Sequence, residues 1–122
     1  MPNPVSWFEI YVQDMDRAKT FYGKVLGAEF TLLRADGLEM WAFPADYNTY
    51  GISGTLVKME GVPSGGNSTL VYFACEDCAV QAARVEPAGG KIFRPKFSVG
   101  EYGWVALAVD TEGNMFGLHS MA

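Results

Sequence analysis

The chain has 122 residues, of which 49% are hydrophobic and 19% charged, so it is long enough for one compact domain and too short for two ordinary ones. These proportions exclude a disordered or low-complexity protein. The net charge of −5 and the scatter of the nine basic residues argue against a nucleic-acid partner. The apolar runs are too short to span a membrane and no signal-peptide pattern opens the chain, so we expect a cytoplasmic protein with no membrane partner.

The first predicted elements are a strand and a helix. Residues 6–12 alternate, which predicts a strand with two different faces. One face consists of Phe8, Ile10 and Val12, and the other of Trp7, Glu9 and Tyr11. Asp14 is placed as a helix N-cap, apolar residues follow at spacings of three and four, and Gly27 is placed as the C-cap. Further strands are expected over residues 28–34, 38–43 and 53–59.

The same order of elements recurs at an offset of 63 residues. The matching landmarks are Trp7 with Leu70, Gly27 with Gly90, Phe30 with Phe93, Trp41 with Trp104, and Gly54 with Gly117. The second copy predicts a strand over 69–75, a helix over about 77–87, and strands near 91–95, 102–109 and 115–120. The sequence therefore predicts a single α+β domain, residues 1–122, built from two βαβββ modules over 3–59 and 66–121. Turn-forming residues between Glu60 and Asn67 would link them.

Three motifs carry a resemblance to a known family. One motif, from Val12 to Ala18, covers the start of the first predicted helix, and another, from Phe21 to Gly27, covers its end. The third runs from Asp110 to Leu118 and includes the last predicted strand. With the repeat, they make the chain similar to the vicinal oxygen chelate superfamily, which includes glyoxalase I, bleomycin-resistance proteins, fosfomycin-resistance enzymes and extradiol dioxygenases. The resemblance implies a concave, mostly antiparallel eight-stranded sheet with the helices on its other face.

The resemblance also implies where a divalent metal would be bound in metal-dependent members. The ligands of the first strand of each module fall on Trp7 and Leu70, and those of the last strand fall on Gly117 and on Gly54 or Thr55. Trp, Leu and Gly side chains offer no suitable donor, and Thr is a poor one. We therefore expect no metal ion and no other cofactor, and none of the classical metal-dependent activities.

Glu9 and His119 are the candidate catalytic residues. Each lies two residues beyond an implied ligand position, so strand alternation places both on the concave face. They could act as a general acid and base, or as two ligands of a shifted metal site that Tyr72 and Leu56 do not complete. The alternatives are a paired or edge-exposed Glu9, and an interfacial or solvated His119.

The aromatic residues predict a cleft for a small aromatic or amphipathic molecule. The candidates for its walls are Trp7, Tyr11, Trp41, Phe43, Tyr72 and Trp104. Core packing or a dimer contact is the alternative for each. Cys75 and Cys78 form a C-x-x-C at a strand end, which is either a redox pair or two reduced thiols, one of them on the face that packs the helix.

Three functions follow from these features. The first is a metal-independent protein of the bleomycin-resistance kind that binds a small molecule in the aromatic cleft. The second is a lyase or isomerase that uses Glu9 and His119, and the third is a regulatory or protein-interaction domain. We also expect a homodimer, because the strands at the sheet edges must be covered.

Overall fold

A computed structural model describes residues 3–122 and has the predicted order of elements, βαβββ twice. The first module contains β1 (Phe8–Tyr11), α1 (Met15–Leu26), β2 (Thr31–Ala35), β3 (Glu39–Ala42) and β4 (Gly54–Lys58). The second contains β5 (Tyr72–Ala74), α2 (Cys78–Val85), β6 (Lys91–Ser98), β7 (Trp104–Val109) and β8 (Met115–Ser120). The predicted α+β fold is thus confirmed. None of the helices in these residues is long and apolar enough to cross a membrane.

The eight strands form two four-stranded sheets. The strand orders are β1-β4-β3-β2 in the first module and β5-β8-β7-β6 in the second. In each sheet the first and last strands of the module pair in parallel, and the other pairs are antiparallel. The expected eight-stranded sheet is therefore divided, because the described strands make no ladder between β1 and β5.

The helix ends follow from local capping chemistry. The Asp14 side chain accepts a hydrogen bond from the backbone N–H of Arg17 at 3.0 Å, and Gly27 closes α1 in the left-handed conformation with φ of 71°. The Asp77 side chain caps α2 by accepting a hydrogen bond from the backbone N–H of Ala79 at 3.0 Å. Both predicted caps of α1 are confirmed.

Both sheets contribute one face to a single core, which we call the core face; the opposite face is called the open face. The core face of β1 carries Ile10, that of β4 carries Leu56, and that of β8 carries Phe116 and Leu118. Tyr22 of α1 lies among four other aromatic rings of both modules, Phe21, Phe43, Phe73 and Phe116. Aromatic side chains of both modules therefore pack against one another in this core.

The register of the parallel strands corrects one landmark of the repeat. Phe8 pairs with Gly54, whereas Tyr72, the equivalent of Glu9, pairs with Gly117. Gly54 therefore lies on the core face beside Phe8, and Gly117 lies on the open face. The sequence offset between equivalent residues of the two modules is 63 in the first strand of each module, β1 and β5, and 62 in the last, β4 and β8. The structural equivalent of Gly117 is therefore Thr55.

A buried carboxylate of the second module binds the start of α1 in the first. Glu112 lies in the turn between β7 and β8, and its side chain is fully buried. It accepts hydrogen bonds of 2.8 Å from the backbone N–H groups of Gln13 and Asp14, and of 2.7 Å from the Arg17 guanidinium. These charge-assisted bonds replace the water that both the carboxylate and the helix N-terminus would otherwise need.

The neighbouring Asp110 adds a second bond between the modules. Its carboxylate accepts the Tyr22 hydroxyl at 2.5 Å and the backbone N–H groups of Glu112 and Asn114. Asn114 in turn donates from its amide to the Tyr11 carbonyl oxygen at 2.9 Å. The turn over residues 110–114 thus connects β8 to both β1 and α1.

The carboxylate of Glu112 should make stability depend on pH. Burial alone would raise the pKa of Glu112, but hydrogen bonds from Arg17 and from the N–H groups of Asp14 and Gln13 lower it to about 2. Since the unfolded value is about 4.3, the carboxylate stabilises the fold fully above that pH and loses its effect as the pH falls toward 2.

We expect Glu112→Gln to lower the free energy of unfolding at pH 7 by about 2–3 kcal/mol, because an amide cannot accept all of these donors. The difference from the wild type should shrink as the pH falls from about 4.5 to 2, measured by denaturant unfolding at each pH. Glu29→Gln, at an exposed position, is the matched control and should change little. A difference for Glu112→Gln that stays constant down to pH 2 would contradict this assignment.

Candidate functional site

The open face of β1 carries a polar pair. The Tyr11 hydroxyl donates to the Glu9 carboxylate at 2.9 Å, and this bond, with partial burial and the charge of Glu9, raises the pKa of Tyr11 above its usual value. Strand alternation placed both residues on this face, as the structure has them. Glu9 is exposed in the single chain and paired with Tyr11, which is the alternative that the sequence left open beside a catalytic role.

This pair lines a crevice where the two modules meet. The crevice has a volume of about 390 Å³, and its walls are β1, the linker over residues 63–69 and the start of β8. Glu9 and Tyr11 lie on one side of it and Asn67 and Met115 are among the residues on the other. The volume suits a small molecule. Sequence reasoning missed the linker wall, because turn-forming residues carry no signal of what they pack against.

The two amide side chains of the crevice are already used within the protein. Asn67 donates to the carbonyl oxygens of Thr69 and Met115 and accepts from the Met115 N–H. Asn114 accepts from the Gly65 N–H at 2.6 Å and donates to Tyr11. They hold the linker against β8 and leave the Glu9 carboxylate as the charged group that a ligand could reach.

A buried hydroxyl lies next to Glu9 on the open face. Thr55 of β4 pairs with Glu9 of β1 and is fully buried. Its Oγ1 has no hydrogen-bond partner among residues 3–122, although buried hydroxyls are normally paired. The sequence had singled out Thr55 only as a poor metal ligand.

The residues at the implied metal positions do not fit a metal ion. Trp7 and Leu70 precede β1 and β5, and Thr55 and Gly117 lie on the open faces of β4 and β8. A Cβ atom on Gly117 would lie 2.2 Å from the ring of Tyr72, so an aromatic ring covers the position of the usual carboxylate. In the part of the chain that the structure describes, no group of three His, Cys, Asp or Glu side chains could hold a metal.

Glu9 and His119 do not lie together, contrary to expectation. Glu9 is in the first sheet and His119 in the second, where it pairs with Ala74 and Val105. The end of β8 that lines the crevice is Met115, and His119 is four residues further, roughly 13 Å along a strand. Its Nε2 is 2.6 Å from the Tyr102 carbonyl oxygen, so the imidazole has a partner of its own.

Three of the predicted aromatic residues face the core side instead of the cleft. Trp41 pairs with Leu56, a core residue, and Lys19 of α1 lies 3.3 Å from the centre of its ring. Phe43 is buried with its ring 5.6 Å from that of Tyr22. Alternation shows which residues share a face but not which face that is, so the sequence could not assign these strands.

Trp104 is the third of these residues. It pairs with the buried Ser120, and Lys96 lies 5.1 Å from its ring centre. Tyr72 does lie on an open face, half-exposed over Gly117, but in the second sheet. Of the six predicted wall residues, Tyr11 lines the crevice and Trp7 precedes the same strand.

The C-x-x-C pair has the environment of structural cysteines. Both thiols are free, Cys78 is buried and Cys75 is half-buried. Burial, together with the nearby Cys78, raises the pKa of Cys75 to about 11. A protonated thiol is a poor nucleophile, so this environment does not favour the redox alternative.

Comparison with known proteins agrees with this fold. The model of the Glyoxalase/Bleomycin resistance protein/Dioxygenase superfamily matches residues 5–118. Glyoxalase I from Zea mays superposes with a TM-score of 0.76 at 24% identity, over 95% of this chain and 44% of the maize chain. A glyoxylase/bleomycin resistance protein/dioxygenase domain from Frankia sp. superposes with a TM-score of 0.75 at 18% identity, over 98% of both chains.

The curated relatives that the chain matches are much longer than the chain itself. The mycobacterial protein CFP32, from Mycobacterium bovis and Mycobacterium tuberculosis, is 25% identical over 114 residues, or 93% of this chain. The chain spans 44% of the length of these relatives. The structural matches under 25% identity show the fold, and one fold can host many different chemistries.

We expect Zn²⁺, Ni²⁺, Mn²⁺ and Fe²⁺ not to bind stoichiometrically, because Trp7, Thr55, Leu70 and Gly117 offer no adequate donor set. Elemental analysis of untagged protein after exposure to each ion and gel filtration should find well under one equivalent. One tightly held equivalent, lost in Glu9→Gln or His119→Ala, would contradict this and establish a shifted metal site.

Proposed function

We propose that this chain, which belongs to the Glyoxalase/Bleomycin resistance protein/Dioxygenase superfamily, binds a small molecule in the crevice beside β1 without a metal ion. The observation that carries the proposal is the crevice itself, where the Glu9–Tyr11 pair meets an otherwise largely apolar wall. A site of a few polar groups on an apolar surface is typical of small-molecule recognition.

The crevice favours one chemical class of ligand. Phe8 and Met115 supply apolar surface, and Tyr11 supplies an aromatic ring beside a carboxylate. Glu9 has one oxygen engaged by Tyr11 and a second available to a donor. An aromatic or amphipathic molecule with an amine or another hydrogen-bond donor would match both features.

An acid–base enzyme is the weaker alternative. It needs Glu9 and His119 at one substrate, and these residues belong to different sheets. A reaction that used Glu9 with Tyr11 would need only the crevice, and turnover of a bound ligand in the assay below would support it. A pure interaction domain would bind no small molecule there.

A thermal-shift screen of aromatic amines and their neutral analogues tests the proposal, since a ligand of the native state must raise the melting temperature. For a cationic ligand found this way, Glu9→Gln should weaken binding about fivefold, corresponding to about 1 kcal/mol for an exposed charge pair. Calorimetry of the wild type, Glu9→Gln and the control Glu29→Gln measures this effect. Unchanged affinity in Glu9→Gln, or no ligand at all, would refute the proposed site.

We further propose that two copies of the chain associate. The edge strand β2 is exposed along its whole length and carries Leu32 and Leu33. The edge strand β6 carries Phe93, which is 64% exposed. Open edges with apolar side chains are covered in stable proteins, and a two-fold axis covers equivalent edges at once.

Sedimentation equilibrium at micromolar concentrations should therefore detect a dimer, and Leu33→Lys with Phe93→Lys should shift it toward the monomer because like charges would meet at the interface. A monomer of 13.3 kDa as the sole species of the wild type would contradict this second proposal without affecting the first.

A further inference from the structure

The crevice beside β1 is not confined to the open face. Besides Glu9 and Tyr11, its lining includes the core residues Ile10, Tyr22 and Phe116. The described strands form no ladder between β1 and β5, so backbone hydrogen bonds do not close the seam between the two sheets. The crevice therefore extends through this seam from the charged open face to the aromatic core.

A second cavity lies on the core side of the same seam. It has a volume of about 250 Å³ and lies between the end of α1, the loop after β3 and helix α2. Its walls include the apolar side chains of Leu26, Phe43, Ile52 and Phe73. Among residues 3–122, none of those that line this cavity is charged, whereas the crevice has the Glu9 carboxylate. The two spaces therefore suit opposite ends of an amphipathic molecule.

Aromatic rings separate the crevice from the second cavity. Phe8 lines both spaces, so at this point the partition is one side chain thick. Nearby, the ring centre of Phe73 in the second cavity is 5.8 Å from that of Tyr22 and 5.9 Å from that of Phe116 in the crevice. Rings at these distances are in direct contact. Displacement of the Phe8 ring would therefore join the two spaces.

We propose that the crevice and the second cavity form one elongated site, for an amine whose apolar tail passes the Phe8 ring into the second cavity. The inference rests on the proposed function, because Glu9 binds the amine of this ligand. The tail leaves water for uncharged walls, and each methylene buried in this way contributes about fourfold in affinity. The Phe8 ring changes its rotamer to admit the tail, a common response of side chains to binding.

The test compares benzylamine with para-pentylbenzylamine, which differ only in the alkyl tail. Calorimetry of the wild type should show the tailed amine binding about tenfold more tightly, because the tail gains from burial and part of that gain is lost in moving the Phe8 ring. Amide chemical-shift titration should show shifts at residues 26–28 and 52–53, which line the second cavity and not the crevice. These shifts should appear with the tailed amine and not with benzylamine.

A matched pair of variants tests where the tail binds. Ala28→Leu places a larger side chain at a half-buried position in the wall of the second cavity. It should remove most of the gain from the tail and leave the affinity for benzylamine unchanged. Ala83→Leu makes the same exchange at an exposed position of α2 that lines neither space, and it should keep the whole gain.

The outcomes separate this inference from the proposed function. If benzylamine binds and loses affinity in Glu9→Gln, but the tail adds nothing or its gain survives in Ala28→Leu, the elongated site is wrong and the crevice site stands. If neither amine binds, or Glu9→Gln changes the affinity of neither, the proposed function fails and this inference fails with it. If Ala28→Leu does not fold, the wild type decides, because tail-dependent shifts confined to residues 63–69 of the crevice would overturn the elongated site.

Discussion

The buried carboxylate of Glu112 joins the two modules beside the crevice. This carboxylate accepts hydrogen bonds from the backbone N–H groups just before α1 and from the guanidinium of Arg17. It therefore connects the turn between β7 and β8 of the second module to the helix of the first module. Asp110 and Tyr22 add a bond nearby. Because these groups are buried and directional, they fix how β1 and β8 face each other, and the crevice beside β1 is the space that remains.

The chain keeps the family fold, whereas the side chains at the positions implied for metal ligands do not suit a metal ion. At Gly117 the side chain is absent and the ring of Tyr72 covers the position, whereas Thr55 keeps only a hydroxyl. The polar pair of the crevice, Glu9 and Tyr11, lies on β1, the edge strand of the first sheet. In the proposed function, a ligand therefore binds at the junction between the modules rather than at the middle of either sheet.

The features that could be predicted from the sequence are those that depend on residues close together in the chain. The caps Asp14 and Gly27 and the two faces of β1 follow from capping and alternation within a few residues. The sequence did not predict that Trp41 faces the core or that His119 lies in a different sheet from Glu9. Both positions depend on how strands distant in the sequence pair. Glu112 resembled any turn residue, since its partners lie almost a hundred residues away.

Amide hydrogen exchange at Gln13 and Asp14 tests the Glu112 contact most directly. At pH 7 both amides should be protected to a similar degree as the neighbouring Val12 amide, which donates to the Val57 carbonyl oxygen within the sheet, because their acceptor is a buried carboxylate. Exchange of both amides at the rate of an exposed turn, with Val12 still protected, would contradict the account and leave the modules without their principal polar connection.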